Sequence, residues 1–168
     1  MKNVVIIGMP GAGKSTLGVI LAKTLGRNFI DTDIVAQENT GRLLQEIIDE
    51  EGTDAFLRTE ERTILSLQCR NAVIATGGSV VFSEKAMKHL KKDGIVIYLK
   101  ISFEEMVRRL NNITTRGIVL VAGQSLREMY DQRVPLYEKY SDITIDCSEG
   151  NFENCLGNVI DNIQKFSE

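Results

Sequence analysis

A glycine-rich loop carries the clearest chemistry in this chain. Residues 8–16 read GMPGAGKST, a complete G-x-x-x-x-G-K-[ST] pattern. Its glycines let successive backbone N–H groups surround phosphate oxygens, while the lysine supplies a cation for the outer phosphates and the following serine a hydroxyl for Mg²⁺. The loop therefore predicts binding of a nucleoside triphosphate with Mg²⁺, through Gly11, Ala12, Gly13, Lys14, Ser15 and Thr16.

The segments on either side of the loop support this interpretation. An apolar run at 4–7 precedes it and a helical pattern over Leu17–Leu25 follows it, which is the strand–loop–helix context that the motif needs. The alternative is a glycine-rich turn without a ligand. Such a turn needs neither a lysine nor a hydroxyl at positions 14 and 15, so we favour the phosphate site.

Two acidic residues, Asp31 and Asp33, end the second predicted strand. Because ligands of parallel sheets collect at the carboxyl ends of the strands, both should lie near the phosphate loop. Residues i and i+2 leave a strand on the same side, which allows Asp31 to face the metal and Asp33 an acceptor hydroxyl. The alternative is that Asp33 caps a helix beginning at Ile34.

The third predicted strand is followed by a turn that reads TGGS at 76–79. Adjacent glycines such as Gly77 and Gly78 permit close approach of backbone N–H donors to a ligand, although Gly-Gly also occurs in ordinary turns. This strand carries no terminal aspartate. Asp31 is therefore the best candidate for the acidic partner of the metal.

An arginine occupies an apolar position of a later helical pattern. Arg133 lies where an apolar residue is expected on the stripe formed by Leu126, Met129, Tyr130 and Tyr137. A cation directed inward needs an anion, which is either a bound substrate or an ion-pair partner such as Asp31, Asp33 or a glutamate. Pro135, just after it, should distort the helix locally.

A long irregular stretch predicts a mobile lid at about 111–124, which would close over the site and exclude water. Arg116 lies within it, and a lid arginine can offset the charge on a transferring phosphoryl group. Arg109, just before the lid, either stacks on an adenine face or closes its own helix through the helix dipole.

Strands that alternate with helices must position these residues, and this alternation indicates a parallel sheet covered on both faces. The predicted strands are Asn3–Ile7, Asn28–Asp31, Ala72–Ala75, Ile95–Leu99 and Ile143–Asp146. The predicted helices are Leu17–Leu25, Leu43–Asp49, Phe56–Leu67, Glu84–Leu90, Phe103–Leu110, Leu126–Tyr137 and Phe152–Phe166. No linker or repeat interrupts them, so we expect a single domain over 1–168.

The bulk properties exclude several classes of protein. The 168 residues carry a net charge of −3 with no basic stripe, so neither a nucleic-acid partner nor a membrane surface is expected. No apolar stretch is long enough to span a bilayer, and no targeting segment precedes the first strand. Three cysteines at unrelated spacings, Cys69, Cys147 and Cys155, suggest reduced thiols, and we expect a cytoplasmic monomer.

Taken together in order and spacing, these motifs resemble those of the shikimate kinases, small P-loop kinases of the nucleoside-monophosphate-kinase type. The resemblance runs nearly from end to end: GMPGAGKST, FIDTD, TGR, ATGGS, the lid arginine and RVPLY at 133–137. It implies an α/β, three-layer P-loop NTPase fold with a five-stranded parallel sheet, helices on both faces and a lid. It also implies transfer of the γ-phosphate of ATP to a ring hydroxyl of shikimate, giving shikimate 3-phosphate.

The resemblance assigns a role to each matching residue. Lys14 and Arg116 would stabilise the transferring phosphoryl group, and Ser15 and Asp31 would hold Mg²⁺. Asp33 would orient the acceptor hydroxyl. The ring would contact Gly77 and Gly78, its carboxylate would bind Arg133, and the adenine would lie beside Arg109 and the turn at Cys147–Ser148.

Three departures from the family pattern affect the acceptor side. Ser79 replaces a third glycine, and Gly117 replaces the proline that follows the lid arginine, which raises the entropic cost of closing the lid. The family motif Phe-Arg-x-x-Glu fits in two registers. Without a gap, Phe56 and Glu60 match and Leu57 takes the place of the arginine that grips the carboxylate. With one inserted residue, Arg58 and Glu61 keep their roles, and we favour Arg58.

Two alternative functions stay open at this point. Ser79 and Leu57 are compatible with a kinase for a different small hydroxylated metabolite. A non-catalytic, nucleotide-binding regulator would also keep the phosphate loop, although it would not need the acidic residues and arginines described above.

Overall fold

A five-stranded parallel sheet forms the centre of the fold. In the computed structural model, which describes residues 1–111, 118–120, 122–148 and 151–167, the sheet has the order β2-β3-β1-β4-β5. The strands that carry these labels are β1 (Asn3–Gly8), β2 (Asn28–Asp31), β3 (Ala72–Ala75), β4 (Gly94–Lys100) and β5 (Ile143–Asp146). All four pairings are parallel, so the carboxyl ends of the strands meet at one edge.

The strands form where the sequence is almost continuously apolar. Every residue of β1 is buried, and Val4 pairs with Val73 on one side and with Ile95 on the other. Strands that are covered on both faces lack polar alternation because neither face meets water. This pattern explains why the five predicted strands are confirmed to within a residue at each end.

Helices surround this sheet. They are α1 (Lys14–Leu25), α2 (Thr32–Thr40), α3 (Leu44–Glu51), α4 (Thr53–Ser66), α5 (Glu84–Lys92), α6 (Phe103–Asn111), α7 (Leu126–Tyr140) and α8 (Phe152–Ser167), with a 3-10 turn at Val80–Phe82. α1 packs on α8, whereas α4 packs on α2, α3 and α5. No helix in the described ranges is long and apolar enough to cross a membrane.

Four helices differ from the sequence prediction: α1 and α4 each begin three residues before their predicted starts, and α2 and α7 differ as follows. α2 was not among the predicted helices because its sequence, TDIVAQENT, buries only Thr32 and Ala36 and has a weak apolar stripe. α7 continues through Pro135 to Tyr140 instead of ending at Tyr137. Its buried stripe of Met129, Arg133, Tyr137 and Tyr140 holds it against the sheet on both sides of the proline.

A second apolar cluster stands beside the carboxyl edge of the sheet. Ile47 of α3, Ala55 and Phe56 of α4, and Val119 form it, separately from the main core. It packs α3 and α4 together as one wall, and its members Phe56 and Val119 line a cavity. The space between this wall and the phosphate loop is the site described next.

Candidate active site

The phosphate loop connects β1 to α1 in the form that the motif requires. Gly11 and Gly13 have φ values of 79° and 89°, a left-handed conformation that glycine adopts without cost. No side chain caps the first turn of α1, which leaves its N–H groups for an anion. The buried Lys14 Nζ donates to the carbonyls of Gly8 (2.9 Å) and Met9 (2.8 Å), so its charge lies within the loop.

Ser15 and Asp31 lie together beside this loop. The Ser15 hydroxyl donates to Asp31 Oδ2 at 2.6 Å. Mg²⁺ in nucleotide sites takes one or two protein oxygens together with phosphate oxygens and water. A hydroxyl and a carboxylate at this position therefore fit such an ion, even though no group of three or more His, Cys, Asp or Glu in the described residues could hold a metal without a substrate.

Asp31 also caps the N-terminus of α2, and this cap places Asp33 in the first turn of the helix. Asp31 Oδ1 accepts a hydrogen bond from the backbone N–H of Asp33 at 3.0 Å, so Asp31 is the helix cap. The alternative in which Asp33 caps the helix is therefore wrong. Asp33 occupies the first turn of α2 and lines the cavity.

A cavity of about 290 Å³ brings the donor and acceptor residues together. Of the residues predicted for the site, it is lined by Lys14, Ser15, Asp31, Asp33, Gly77, Gly78 and Arg133. Phe56, Ile118 and Val119 supply apolar lining opposite the phosphate loop. Its size suits a small metabolite rather than a polymer.

The turn after β3 needs both glycines because charged groups approach it closely. A Cβ on Gly77 would stand 3.0 Å from Asp33 Oδ1 and closer still to Glu60 Oε2. A Cβ on Gly78 would stand 3.1 Å from Arg133 Nη1 and 3.0 Å from Pro10 Cδ. Any larger residue at either position would displace the polar groups that line the cavity.

Arg133 projects from α7 into the cavity and is 2% exposed. Its Nη2 donates to the carbonyl of Val119 at 2.7 Å, and its guanidinium lies over the Phe82 ring. Its Nε has no hydrogen-bond partner, and no carboxylate of the described residues forms a salt bridge with it. Within the described chain, the ion pair considered from sequence is not formed.

Glu60 is a buried acidic residue beside the Gly77 turn that was not among the predicted site residues and does not line the cavity. It is 7% exposed, and its Oε1 accepts a hydrogen bond from the Ser79 hydroxyl at 2.8 Å. Burial raises the pKa of Glu60 to about 7, and nearby Asp33 adds to this rise, whereas Ser79, Arg133 and Lys14 act against it. The sequence carried a signal for it, because Glu60 is the glutamate of the family motif in the ungapped register, four residues after Phe56.

The same helical phase places Leu57 and Arg58. Phe56 and Glu60 are four residues apart and both buried, so they define the inner face of α4. Leu57 is half-buried beside the α3–α4 cluster, and Arg58 is exposed. The structure does not bring Arg58 into the cavity, and the ungapped register, with Leu57 in the arginine position, is the one that fits the helix.

On the far side of the phosphate loop, Arg109 connects two segments. Its Nη1 donates to the Gly11 carbonyl at 3.2 Å and its Nη2 to the Cys147 carbonyl at 3.3 Å. Arg109 lines a depression together with Thr16, Phe152 and Cys155. The structure thus brings Arg109, which also pairs with Glu105 on its own helix, and the turn after β5 together beside the loop.

The prediction of three reduced thiols is wrong for two of them. Cys147 and Cys155 form a disulfide, with their Cα atoms 5.6 Å apart, and Cys69 is free. Cys147 follows β5 and Cys155 lies in the first turn of α8, so the fold joins two residues whose spacing suggested no pairing. The disulfide lies at the edge of the depression beside Arg109.

Half of the predicted lid at 111–124, residues 112–117 and 121, lies outside the described residues. Arg116 and Gly117 are among the undescribed residues 112–117, so their predicted roles stay predictions. Ile118 and Val119, which follow them, line the cavity, and Val119 is bonded to Arg133. Two residues from the middle of the 111–124 segment are therefore part of the cavity wall.

The fold and the site together define a P-loop NTPase with a small acceptor pocket. The shikimate kinase family model matches residues 10–164. A shikimate kinase of Thermodesulfovibrio yellowstonii is 37% identical over 99% of this chain and 98% of its own length. The structure of a shikimate kinase from Acinetobacter baumannii in complex with shikimate is 32% identical, with a TM-score of 0.89 over 98% of this chain and 94% of that one.

A third relative agrees with these two. The structure of a shikimate kinase from Aquifex aeolicus is 25% identical and covers 98% of both chains, with a TM-score of 0.84. The chain belongs to the shikimate kinase family. It is a kinase that phosphorylates a hydroxyl group of a small molecule.

Proposed function

We propose that this protein transfers the γ-phosphoryl group of MgATP to a hydroxyl of shikimate, forming shikimate 3-phosphate and ADP. The observation that carries the proposal is the cavity in which the phosphate loop faces Asp33, Gly78 and Arg133. Membership of the family supplies the substrate, and the A. baumannii relative is described with shikimate bound.

The donor side is formed by the phosphate loop and its neighbours. ATP would place its phosphates against the loop N–H groups, and Lys14 Nζ would turn from the Gly8 and Met9 carbonyls toward the outer phosphates. Ser15 and Asp31 would hold Mg²⁺, which neutralises charge on the phosphates. Arg109 would border the adenine together with the turn at Cys147–Ser148.

On the acceptor side, we propose that Asp33 accepts a hydrogen bond from the reacting hydroxyl and orients its oxygen toward the γ-phosphorus. As the new O–P bond forms and the bond to ADP breaks, the hydroxyl proton passes to Asp33 or to the product phosphate. Gly77 and Gly78 would allow close approach of the ring, and Arg133 would bind its carboxylate with two N–H donors.

Several finer features belong to the same proposal. We propose one kinase domain over 1–168, a mobile lid at about 111–124 with Arg116 acting on the transferring phosphoryl group, and Mg²⁺ as the metal. We also propose a cytoplasmic monomer without a nucleic-acid or membrane partner. Arg58 is left out of the proposed site because it is exposed and does not line the cavity.

A coupled assay of ADP release tests the proposal. We expect ADP release that depends on shikimate, on ATP and on Mg²⁺, with slow release when shikimate is omitted. If ATP binds but saturating shikimate gives no turnover, the proposal is refuted. Turnover with another polyol or hydroxy acid would then identify a kinase for a different metabolite, and no acceptor stimulation at all would favour a nucleotide-binding regulator.

A further inference from the structure

The hydroxyl of Tyr137 connects α7 to the glycine turn that follows β3. Tyr137 is fully buried, and its Oη donates a hydrogen bond to the carbonyl oxygen of Gly78 at 2.5 Å. Its ring stacks on the ring of Tyr98 in β4, with the ring centroids 5.0 Å apart. Packing therefore fixes the ring, and the hydroxyl reaches the turn from a fixed direction.

Tyr137 also interacts with Arg133, one helical turn earlier on α7. Residues four apart on a helix lie on the same face, and the Arg133 guanidinium has a hydrogen-bonding interaction with the Tyr137 hydroxyl. A guanidinium has donors only, so Arg133 donates and the phenolic oxygen accepts. The same hydroxyl therefore accepts from Arg133 and donates to Gly78, two residues of the acceptor side.

The glycine turn has no Cβ atoms with which to fix its own backbone. Adjacent glycines such as Gly77 and Gly78 have more conformational freedom than other residues. The space is narrow, because a Cβ on Gly78 would stand 3.0 Å from Pro10 Cδ and 3.1 Å from Arg133 Nη1. A carbonyl shares one planar peptide group with the next N–H, so a hydrogen bond to the Gly78 oxygen also fixes the direction of the Ser79 N–H.

The Tyr137 hydroxyl keeps its proton at neutral pH. Burial raises the pKa of Tyr137 to about 12, although nearby Arg133 acts against this rise. The phenol is therefore neutral and remains a donor to the Gly78 carbonyl. Removal of this hydroxyl would take one hydrogen-bond partner from the carbonyl and another from the guanidinium.

We infer that Tyr137 is a positioning residue for the acceptor, because its hydroxyl holds Gly78 and Arg133 in a fixed arrangement. The inference rests on the proposed function, in which the acceptor ring contacts Gly78 and the acceptor carboxylate binds Arg133. Tyr137 is not among the described residues that line the cavity, so it acts through these two. Loss of one hydroxyl should then weaken both contacts with the acceptor.

Two tyrosine-to-phenylalanine substitutions in one ring stack test this role. Tyr137→Phe keeps the stacked ring and removes the hydroxyl that bonds Gly78. The acceptor KM should rise about tenfold, while kcat and the ATP KM stay within about twofold. The matched control is Tyr98→Phe, because the Tyr98 hydroxyl is buried and has no hydrogen-bond partner in the described structure. This control should leave all three constants as in the wild type.

A double-mutant cycle separates positioning from packing. Once Arg133 is replaced, the Tyr137 hydroxyl has only the Gly78 carbonyl left to position. In an Arg133→Met background, Tyr137→Phe should therefore raise the acceptor KM by no more than about threefold, against about tenfold in the wild type. A tyrosine that only stabilises the fold would instead lower the melting temperature without changing the acceptor KM, and that result would overturn the inference.

Nitrogen NMR makes the test independent of turnover. In ¹⁵N-labelled protein, Tyr137→Phe should shift the Ser79 amide resonance, which shares a peptide group with the Gly78 carbonyl. It should also shift the guanidinium resonances of Arg133, whereas Tyr98→Phe should shift these signals much less.

Equal shifts in the two variants, or an unchanged acceptor KM in Tyr137→Phe, would overturn the inference and leave the proposed function intact. A wild type that fails to phosphorylate shikimate would refute the proposed function. The NMR comparison would then still decide whether the Tyr137 hydroxyl holds the glycine turn and Arg133 together.

Discussion

Replacement of Arg133 by methionine separates a substrate-binding arginine from a structural one. Methionine keeps the length and apolar stem of the side chain and removes the charge. In the folded protein the change removes the hydrogen bond from Nη2 to the Val119 carbonyl, the contact of the guanidinium with the Phe82 ring and a hydrogen-bonding interaction with Tyr137. It also removes one buried Nε that has no hydrogen-bond partner. Because the desolvated cation also costs free energy, the net change in the free energy of unfolding should stay within about 1 kcal/mol.

The effect on the acceptor should be much larger. A carboxylate that enters this buried cavity is desolvated. A guanidinium that donates two hydrogen bonds to it compensates for the lost hydration. Truncation of one partner of such a buried charge pair costs about 3 kcal/mol, which corresponds to a rise of roughly 150-fold in acceptor KM. Arg133→Lys should lie between methionine and the wild type, because it keeps the charge but loses the planar fork.

Steady-state kinetics with each substrate varied in turn measure this difference, and thermal unfolding measures stability. The ATP KM should change by no more than about twofold, since Arg133 lies on the acceptor side. Arg127→Met is the matched control on the same helix, where the arginine is exposed and pairs with Asp131. A lowered melting temperature with an acceptor KM close to that of the control would refute the binding role.

Three further predictions concern other parts of the site. Asp33→Asn should lower kcat by about 100-fold or more with little change in ATP KM, and unchanged single-turnover rates would remove Asp33 from its role. Reduction of the Cys147–Cys155 disulfide, or the substitution Cys155→Ser, should raise the ATP KM but not the acceptor KM, because the disulfide lies beside the proposed adenine site. Nucleotide titration with and without dithiothreitol checks this. Glu60 has a pKa raised to about 7 in the folded protein, so it binds more protons there than in the unfolded chain, and its contribution to stability is present below its unfolded value and lost as pH rises to about 7. Glu60→Gln should therefore flatten the fall in melting temperature over that range, and parallel curves for the two proteins would contradict this.

The sheet could be predicted because its signal is local. Runs such as 4–7 and Ala72–Ala75 are apolar throughout, and each is followed by a glycine-rich turn or a helix, so length and composition are sufficient. α2 lacked such a signal because only two of its nine residues, Thr32 and Ala36, are buried. Its first turn is capped by the Asp31 side chain, and this cap depends on the backbone conformation at the end of β2, which the sequence pattern does not specify.

The donor half of the site was predictable for a similar reason. Its loop is contiguous in sequence, and its geometry follows from the order of glycine, lysine and serine. The acceptor half is assembled from α2, α4, the turn at 76–79 and α7, which are far apart along the chain. Glu60 was matched to the family motif but not predicted as a site residue, because its contact with Ser79 depends on the packing of α4 against that turn. The choice between Leu57 and Arg58 depended on which face of α4 is buried.

The unusual feature of this acceptor pocket is that a buried acid and a buried arginine lie near each other without pairing. Arg133 and Glu60 interact electrostatically, yet no salt bridge joins them in the described structure. A direct ion pair would offset the charge of the arginine and weaken its attraction for an anionic substrate. The Ser79 hydroxyl instead occupies Glu60 Oε1, and burial keeps much of the Glu60 population protonated near neutral pH. Arg133 therefore keeps its charge for the carboxylate of the acceptor, which explains why a serine is compatible with this site.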